Sequence, residues 1–373
     1  MNSFTPNFKT LMGPGPSNID PRVLSAMARP IIGHLDPQFI GLMDEIKDLL
    51  RYAYQTDNAL TFPVSAPGSA GMETCFANLV EPGDKVLVCI NGVFGGRMKE
   101  NVIRCGGEAV VVEDDWGTPV SPDKVEAALT RHPDIKILAF VHAETSTGVC
   151  SDAEKLAALA QAHDCLTIMD CVTSLAGVPV MIDAWGIDAA YSGTQKCLSC
   201  PPGLSPVTFS ERAVETVRRR NTPIQSWFLD LSLVMDYWSG DGARSYHHTA
   251  PVNAMYALHE SLLIVKEEGL EAAWARHRSH HETLKAGLED LGLALLVDAP
   301  YRLPQMNSVL IPDALRADEA AIRKTLLTDY NLEIGAGLGA LAGKIWRIGL
   351  MGHGASQDNV ATCLDALGEV LKA

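Results

Sequence analysis

The sequence predicts an α/β fold with a mainly parallel sheet, followed by a smaller α+β unit. Between residues 60 and 210, short apolar runs alternate with helical stretches, and the runs at 85–90 and 135–141 are apolar almost throughout. Strands of this composition are typical of a parallel sheet with helices on both faces. The chain has 373 residues, which is too long for one ordinary core and favours two domains.

Apolar spacing and turn residues define the elements of the first unit. Phe39, Met43 and Ile46 recur at helical spacing, which predicts an amphipathic helix over 37–54. The same criteria predict strands at 60–64, 85–90, 109–112, 135–141, 166–169 and 189–191, and helices at 72–80, 95–105, 122–131 and 152–163.

A change of rhythm near residue 260 indicates the second, smaller unit. Residues 252–289 have a helical pattern with a break at Gly269. Beyond them we predict strands at 309–311, 332–334 and 345–348, interleaved with helices at 316–328 and 356–371. The start of the chain is rich in proline and glycine, which predicts an extended arm rather than a packed element. We therefore expect three segments: an N-terminal arm over 1–20, a large domain over 21–260 and a small C-terminal domain over 261–373.

Charge and cysteine content restrict the class of protein. The net charge of -15 argues against general binding to nucleic acid or to an anionic membrane, since both are polyanions. We expect no signal peptide and no membrane span, because the first residues lack the pattern of a leader and no apolar run is long enough. The nine cysteines are odd in number and lie mostly in apolar runs, which predicts reduced thiols and a cytoplasmic protein. Cys197 and Cys200 form a single CxxC without a second pair, so a zinc or redox role is disfavoured.

The most informative residues are Asp170 and Lys196. Asp170 ends the apolar run 166–169, and Lys196 follows the run 189–191 after four small or polar residues. A carboxylate and a lysine at neighbouring strand ends suit pyridoxal phosphate (PLP): the lysine forms a Schiff base with its aldehyde, and the carboxylate keeps its ring nitrogen protonated. In isolation, the alternatives are a surface lysine and a turn or cap aspartate.

Other strand ends carry residues that would complete such a site. Gly68 and Ser69 open a predicted helix, whose N-terminus could hold a phosphate or be an ordinary capped turn. Phe94 could stack on a ring or belong to the core, and Thr145 could donate to the cofactor or be a turn hydroxyl. Arg347 lies in an apolar strand, where it needs either a substrate carboxylate or an internal acidic partner.

Two other ligand classes are disfavoured. Residues 335–340 fit the dinucleotide fingerprint, but too few residues separate them from the next strand for a crossover helix. The pairs His247/His248 and His277/His280 have no carboxylate or cysteine at ligand spacing, so we predict no metal site.

Taken together, these segments resemble the fold-type I PLP enzymes, and among them the class V aminotransferases of the alanine–glyoxylate and serine–pyruvate group. The likeness runs from residue 11 almost to the C-terminus. It includes the segments Leu11-Met12-Gly13-Pro14-Gly15-Pro16, Asn91-Gly92-Val93-Phe94-Gly95-Gly96-Arg97, Ser146-Thr147-Gly148-Val149, Tyr191-Ser192-Gly193-Thr194-Gln195-Lys196, Tyr246-His247-His248-Thr249 and Trp346-Arg347-Ile348-Gly349-Leu350.

The resemblance implies roles for the cofactor-binding residues. Lys196 would carry the cofactor, Asp170 would pair with the ring nitrogen and Val172 would pack under the ring. The phosphate would be bound by Gly68, Ser69 and Gln195. Ser69 stands where animal relatives have a histidine, and Phe94 where they have a tryptophan; these are the two departures from the pattern, and they bear on cofactor affinity and substrate preference.

The resemblance also implies a homodimer with shared active sites. Tyr246 and Thr249 would reach the phosphate in the neighbouring subunit, Arg347 would bind the substrate carboxylate, and the surroundings of Ser174 would shape the substrate pocket. The implied reaction moves an amino group from a small L-amino acid, alanine or serine, to glyoxylate or pyruvate by a ping-pong mechanism.

Three alternatives stay open at this point. Ureidoglycine–glyoxylate and aspartate–glyoxylate aminotransferases share most of these motifs. A cysteine desulfurase is the nearest rival chemistry, because Cys171, Cys197 and Cys200 lie near the site, although that family usually has a histidine where Gln195 stands. The third alternative is a non-catalytic binding protein with the same fold.

Overall fold

The computed structural model describes residues 3–238 and 244–372. Within them the strands are β1 (Thr10–Leu11), β2 (Leu60–Val64), β3 (Lys85–Ile90), β4 (Glu108–Glu113), β5 (Ile135–Val141), β6 (Ala143–Glu144), β7 (Val149–Cys150), β8 (Leu166–Asp170), β9 (Ala189–Tyr191), β10 (Ser205–Phe209), β11 (Ala294–Leu295), β12 (Met306–Leu310), β13 (Leu332–Glu333), β14 (Gly335–Ala336) and β15 (Ile345–Gly349). The helices are α1 (Pro21–Met27), α2 (Pro37–Tyr54), α3 (Gly68–Leu79), α4 (Val93–Arg104), α5 (Pro122–Arg131), α6 (Ala153–Ala162), α7 (Ile182–Trp185), α8 (Glu211–Arg218), α9 (Leu231–Trp238), α10 (Val252–Glu268), α11 (Leu270–Asp290), α12 (Glu319–Asp329) and α13 (Gln357–Val370).

A seven-stranded sheet in the order β2-β10-β9-β8-β5-β3-β4 forms the centre of the large unit. Strands β9, β8, β5, β3 and β4 run parallel to one another, whereas β10 is antiparallel to both β2 and β9. Every residue of β8, β9 and β10 is buried, so both faces of the sheet are covered there. The prediction of a mainly parallel, helix-covered sheet is confirmed, while β10 was not predicted.

Local signals explain why the helices begin and end where they do. The side chain of Asp36 accepts a hydrogen bond of 2.8 Å from the Gln38 amide, and Pro37 occupies the first turn of α2. The helix ends at Gln55, which is left-handed with φ of 53°. Its predicted span of 37–54 is confirmed. Among the described residues, no helix combines the length and apolar character needed to cross a bilayer.

A second sheet, β11-β12-β15-β14, is antiparallel and belongs to a separate hydrophobic cluster. That cluster includes Trp346 and Ile348 of β15 together with Leu284 of α11 and Leu367 of α13. The larger cluster surrounds the seven-stranded sheet, continues along α10 to Leu270 at the start of α11, and also includes Leu303, Met306 and Met351. The predicted α+β rhythm of the C-terminal region is therefore observed; the domain limits at 20 and 260 stay a prediction.

The N-terminal segment is packed over its second half. Strand β1 pairs in parallel with β13, Met12 is fully buried, and the amide of Ser17 donates to the carbonyl of Gln195 over 3.0 Å. From Thr10 onward the predicted arm is packed against the rest of the chain, and its limit at residue 20 stays a prediction. The physical reason for the packing is that this segment supplies apolar side chains to one cluster and backbone partners to the loop before Lys196.

Candidate active site

The carboxyl ends of the parallel strands surround a cavity of about 210 Å³. Strands β8 and β9 are neighbours, and their last residues, Asp170 and Tyr191, are paired in register. Ligands bind at this edge in open parallel sheets. Eight of the predicted site residues line the cavity: Gly68, Ser69, Phe94, Thr145, Asp170, Val172, Gln195 and Lys196.

Asp170 is buried at the base of the cavity and is held by two donors. Its Oδ1 accepts a hydrogen bond of 2.9 Å from the Val172 amide, and its Oδ2 accepts one of 2.8 Å from the hydroxyl of Tyr191. Burial raises the pKa of Asp170 to about 7, although both hydrogen bonds act in the opposite direction. A cation placed in this cavity would therefore gain a fixed, poorly solvated carboxylate as its partner.

Lys196 enters the same cavity under conditions that favour its neutral form. Burial lowers the pKa of its ammonium group to about 8, and the nearby charge of Arg347 acts in the same direction. Its Nζ donates a hydrogen bond to the carbonyl of Pro14. Gly15 lies so close that a Cβ there would be 2.5 Å from Nζ, and its φ of +102° also disfavours any other residue.

The N-terminus of α3 provides an anion site at the edge of the cavity. The helix begins at Gly68 after Pro67, and no side chain caps it. The Ala70 amide donates to the carbonyl of Pro67 over 2.7 Å, which leaves the N–H groups of Gly68 and Ser69 for a ligand. Gln195 adds a buried side-chain amide whose Oε1 has no hydrogen-bond partner. Rotation of that amide by half a turn would present its N–H groups to an anion instead.

Arg347 is buried in β15 and binds backbone carbonyl groups. Its Nε donates to the carbonyl of Ala336 over 2.7 Å, and its Nη1 donates to the carbonyl of Thr145 over 3.3 Å. Among the described residues, no carboxylate lies within ion-pair distance of its guanidinium, and burial lowers its pKa. Of the two alternatives that the sequence left open, the internal ion pair is not formed. The remaining N–H groups are available for a substrate carboxylate.

The comparison with known protein families decides the identity of this site. The family model Aminotransferase class-V matches residues 12–350. The chain is a class V aminotransferase.

Individual relatives match this aminotransferase over almost its whole length. Alanine–glyoxylate aminotransferase of Oryctolagus cuniculus is 41% identical, over 98% of this chain and 93% of that protein. (S)-Ureidoglycine–glyoxylate transaminase of Bacillus subtilis is 39% identical, over 97% of this chain and 90% of that protein. The crystal structure of alanine–glyoxylate aminotransferase from Nostoc sp. shares 46% identity and superposes with a TM-score of 0.97, covering 100% of this chain and 97% of that one. The chain is thus a transaminase of PLP-transferase fold type I, and its cofactor is PLP.

The residues of the cavity fit this cofactor. The uncapped N-terminus of α3 and the unpartnered amide of Gln195 suit a phosphate. Asp170 suits a protonated ring nitrogen, because its buried carboxylate has no cationic partner within ion-pair distance among the described residues. Lys196 suits the aldehyde, because its lowered pKa makes the amine nucleophilic near neutral pH. The roles of the individual residues stay predictions.

Four predicted residues do not line the cavity of this aminotransferase. Arg347 is joined by a hydrogen bond to Thr145, which lies on the cavity wall. Ser174 is fully buried, and its Oγ has no partner. Tyr246 is 64% exposed with its ring 5.4 Å from that of His34, and Thr249 is exposed as well.

Sequence reasoning missed several residues of the site. Tyr191 is the hydroxyl partner of Asp170, Pro14 and Gly15 contact Lys196, and Glu144 lies buried behind Thr145. Of these residues, only Tyr191 could have been found from the sequence, because it ends β9 just as Asp170 ends the neighbouring strand β8. The contacts of Pro14 and Gly15 span more than 180 residues of chain and leave no local pattern.

A larger cavity, about 360 Å³, lies on the other side of the residues that follow Lys196. Its charged residues are already paired, since Arg276 binds Glu268 through two hydrogen bonds of 2.5 and 2.8 Å. His277 on its wall accepts from the amide of Gly352 over 2.9 Å. The cofactor cavity is therefore the better site despite its smaller volume. No group of three or more His, Cys, Asp or Glu side chains in residues 3–238 and 244–372 could hold a metal ion.

Proposed function

We propose that this aminotransferase moves an amino group from a small L-amino acid, alanine or serine, to glyoxylate or pyruvate by a ping-pong mechanism. The observation that carries the proposal is the placement of Lys196 and Asp170 on one cavity of about 210 Å³. The names of two relatives that match nearly the whole chain, both of which use glyoxylate, support it.

Each residue of this chain has a defined task in that reaction. When bound, PLP supplies an electron sink that stabilises the negative charge left on the substrate Cα after proton loss. The Nζ of Lys196 would take the α-proton and deliver it to the cofactor rather than back to Cα, which a pKa of about 8 allows near neutral pH. Asp170 would keep the ring nitrogen of PLP protonated. Arg347 would orient the substrate by binding the carboxylate of the substrate.

The absorption spectrum of the purified protein tests the proposal. We expect a visible cofactor band that bleaches with L-alanine or L-serine and returns with glyoxylate or pyruvate, because the two half-reactions are separable in a ping-pong mechanism. Parallel double-reciprocal plots are the kinetic form of the same result. A band that ignores alanine and serine would contradict the proposed donors and leave the family assignment unaffected.

Ureidoglycine is a second candidate donor. The relative from Bacillus subtilis named for that activity is 39% identical over 97% of this chain. The same spectroscopic assay decides between alanine and ureidoglycine. If ureidoglycine bleaches the cofactor band at a far lower concentration than alanine does, ureidoglycine is the donor.

The cysteines argue against desulfurase activity. Burial raises the pKa of Cys197 to about 12, and its thiol donates to the carbonyl of Thr173 over 3.3 Å. The thiol of Cys171 likewise donates to the carbonyl of Tyr191 over 3.2 Å. Neither side chain can supply a thiolate near neutral pH. Sulfide release from L-cysteine at the rate of alanine transamination would contradict this conclusion.

The rate should depend on pH through Lys196. Its Nζ must be unprotonated to accept the α-proton, and its pKa is lowered to about 8, so the unprotonated fraction increases as the pH rises through that value. We therefore expect kcat for alanine and glyoxylate to rise with pH and to level off above about 8. Steady-state kinetics at a series of pH values on both sides of 8 measure this dependence of kcat. A kcat that falls over the same interval would exclude Lys196 as the base.

Replacing Arg347 by glutamine should weaken the binding of both substrates. Loss of one charge-assisted contact to a carboxylate corresponds to roughly 10- to 100-fold in KM. Removing the cation should also move the rising limb of the pH profile upward, because Arg347 lowers the pKa of Lys196. Arg323→Gln, which breaks a partly buried ion pair with Glu319 within α12, is the control and should change neither the KM values nor the pH profile. Unchanged KM values for both substrates would remove Arg347 from the site.

We further propose a cytoplasmic homodimer in which Tyr246 and Thr249 complete the phosphate site of the second copy. Tyr246 and Trp227 are large, ring-bearing and more than half exposed, which is consistent with a covered surface in an assembly. All nine cysteines are free thiols, which is consistent with a reducing compartment. Sedimentation analysis and cell fractionation test these two points. A monomer that retains full activity would contradict the shared site.

A further inference from the structure

A buried carboxylate that the proposed reaction does not use lies directly behind the cofactor cavity. Glu144 is fully buried. Its Oε1 accepts hydrogen bonds of 3.0 and 2.6 Å from the amide and the hydroxyl of Ser146. Its Oε2 accepts one of 3.1 Å from the amide of Phe94. With both oxygens occupied and no surface on the cavity, Glu144 is not placed to exchange a proton with a substrate.

Its position is that of a missing helix cap. Helix α4 begins after Gly92, which has no side chain to bind the first amide groups, and these would otherwise lack partners. Ser146 Oγ accepts from the Val93 amide over 3.0 Å, and Glu144 accepts from that of Phe94. A carboxylate at a helix N-terminus is also favoured by the helix dipole. The loop after β6 thus caps a helix that is 50 residues earlier in the chain.

The fit between the two segments excludes a side chain at position 92. A Cβ on Gly92 would lie 2.4 Å from Cδ of Glu144 and 2.5 Å from Oγ of Ser146. The φ of Gly92 is 174°, an extended value that any residue adopts, so space rather than backbone conformation requires glycine here. Glu144 therefore supplies the cap that Gly92, at the N-cap position of α4, cannot provide.

Two parts of the site depend on this contact. Phe94, held through its amide, lines the cavity with its side chain. Thr145 follows Glu144 in the chain, and its carbonyl accepts from Nη1 of Arg347. The charge of Glu144 also acts on both Arg347 and Asp170, raising the pKa of each.

We propose that Glu144 is a positioning residue, which fixes Phe94 against the cofactor and holds the Thr145 carbonyl that orients Arg347. Through these contacts, Glu144 links Phe94 on the cavity wall to Arg347, the residue proposed to bind the substrate. The proposal rests on the roles proposed above for Phe94 and Arg347.

Glu144→Gln tests the proposal, since it keeps the shape of the side chain and removes its charge and one acceptor. We expect the dissociation constant of PLP to rise about tenfold, the amount expected for one lost charge-assisted hydrogen bond. The circular dichroism of the bound cofactor should change, because the ring loses its fixed neighbour, and KM for both substrates should rise. Ser146→Ala should produce a smaller change in the same direction, and it replaces Glu144→Gln if that variant does not fold.

Ser121→Ala is the matched control. Ser121 caps α5 through the Lys124 amide, away from the cavity, so its loss should lower the melting temperature and leave cofactor binding unchanged. If Glu144→Gln and Ser146→Ala behave like Ser121→Ala, with altered stability alone, Glu144 is a structural cap and the proposal is wrong. The PLP affinity and the dichroism need no substrate, so they decide the matter even if the proposed donor and acceptor prove incorrect.

Discussion

Lys196→Ala should abolish both half-reactions, with kcat at least about 10³-fold below that of the parent enzyme. The variant loses the amine that carries the cofactor and the base that moves the α-proton, and no other lysine lines the cavity in the described part of the chain. The expected readout is a cofactor band that no longer bleaches within the time of one parental turnover when L-alanine is added.

The same variant should still bind PLP, although without a covalent bond. The N-terminus of α3, the Gln195 side chain and Asp170 do not depend on the lysine amine and should remain in place. Equilibrium dialysis should therefore show a cofactor that binds reversibly and is lost on dilution. This separates loss of chemistry from loss of the fold, since an unfolded variant would bind none.

Lys155→Ala provides the control for replacing a lysine. Lys155 is exposed on α6, away from the cavity, and its loss should leave the rate unchanged. A rate for Lys196→Ala within tenfold of the parent would show that the proton moves through another group, and the mechanism proposed for this chain would have to be abandoned.

The central sheet was predictable because its strands carry their own signal. The runs that form β3 and β5 are apolar at nearly every position, and their predicted limits agree with the structure. Strand β10 was not predicted; its second residue is Pro206, and proline argues against a central strand. In the structure Pro206 is opposite Pro63 of β2, so both missing amide groups fall at one position of the ladder.

The site was predictable where one residue type at a strand end had a chemical reason to be there. Asp170 and Lys196 met that condition, and the structure places both on one cavity. Glu144 did not, because a glutamate before Thr145 reads as an ordinary polar turn. Its partner, Phe94, is 50 residues away, and a contact of that kind depends on the parallel order of β3 and β5, which periodicity does not give.

The N-terminal segment also makes contacts that could not be predicted from its local composition. Its prolines and glycines correctly indicated that no helix forms within residues 3–20. They could not indicate that Pro14 would accept from Lys196, because the same composition is typical of unpacked arms. Packing of such a segment is determined by the surface it meets.

Asp170→Asn should reduce the rate of the alanine half-reaction by roughly 10² to 10³, the usual cost of removing one preorganised electrostatic group. Asparagine keeps the size of the side chain and can still accept from the Val172 amide, so the fold should persist. It cannot hold a proton on the ring nitrogen by charge, and the cofactor then withdraws electrons less effectively. Stopped-flow measurement of the bleaching rate at saturating alanine gives the effect on the chemical step directly.

Asp188→Asn is the matched substitution for this experiment. Asp188 is also a buried aspartate, just before β9, where it accepts hydrogen bonds from Thr167 and Ser210. Burial raises its pKa as it does that of Asp170. Its replacement should lower the melting temperature and leave the bleaching rate unchanged, so a loss of rate in Asp170→Asn alone cannot be ascribed to a missing buried charge in general.

Tyr191→Phe compares the contribution of the Tyr191 hydroxyl to the rate with that of the Asp170 carboxylate. It removes one donor and leaves the carboxylate in place, so we expect a smaller loss of rate than in Asp170→Asn. Since that donor lowers the pKa of Asp170, its removal should raise the pKa further, and the variant should lose more activity toward acidic pH than the parent. If Tyr191→Phe were as slow as Asp170→Asn at every pH, the phenol rather than the carboxylate would be the partner of the ring nitrogen.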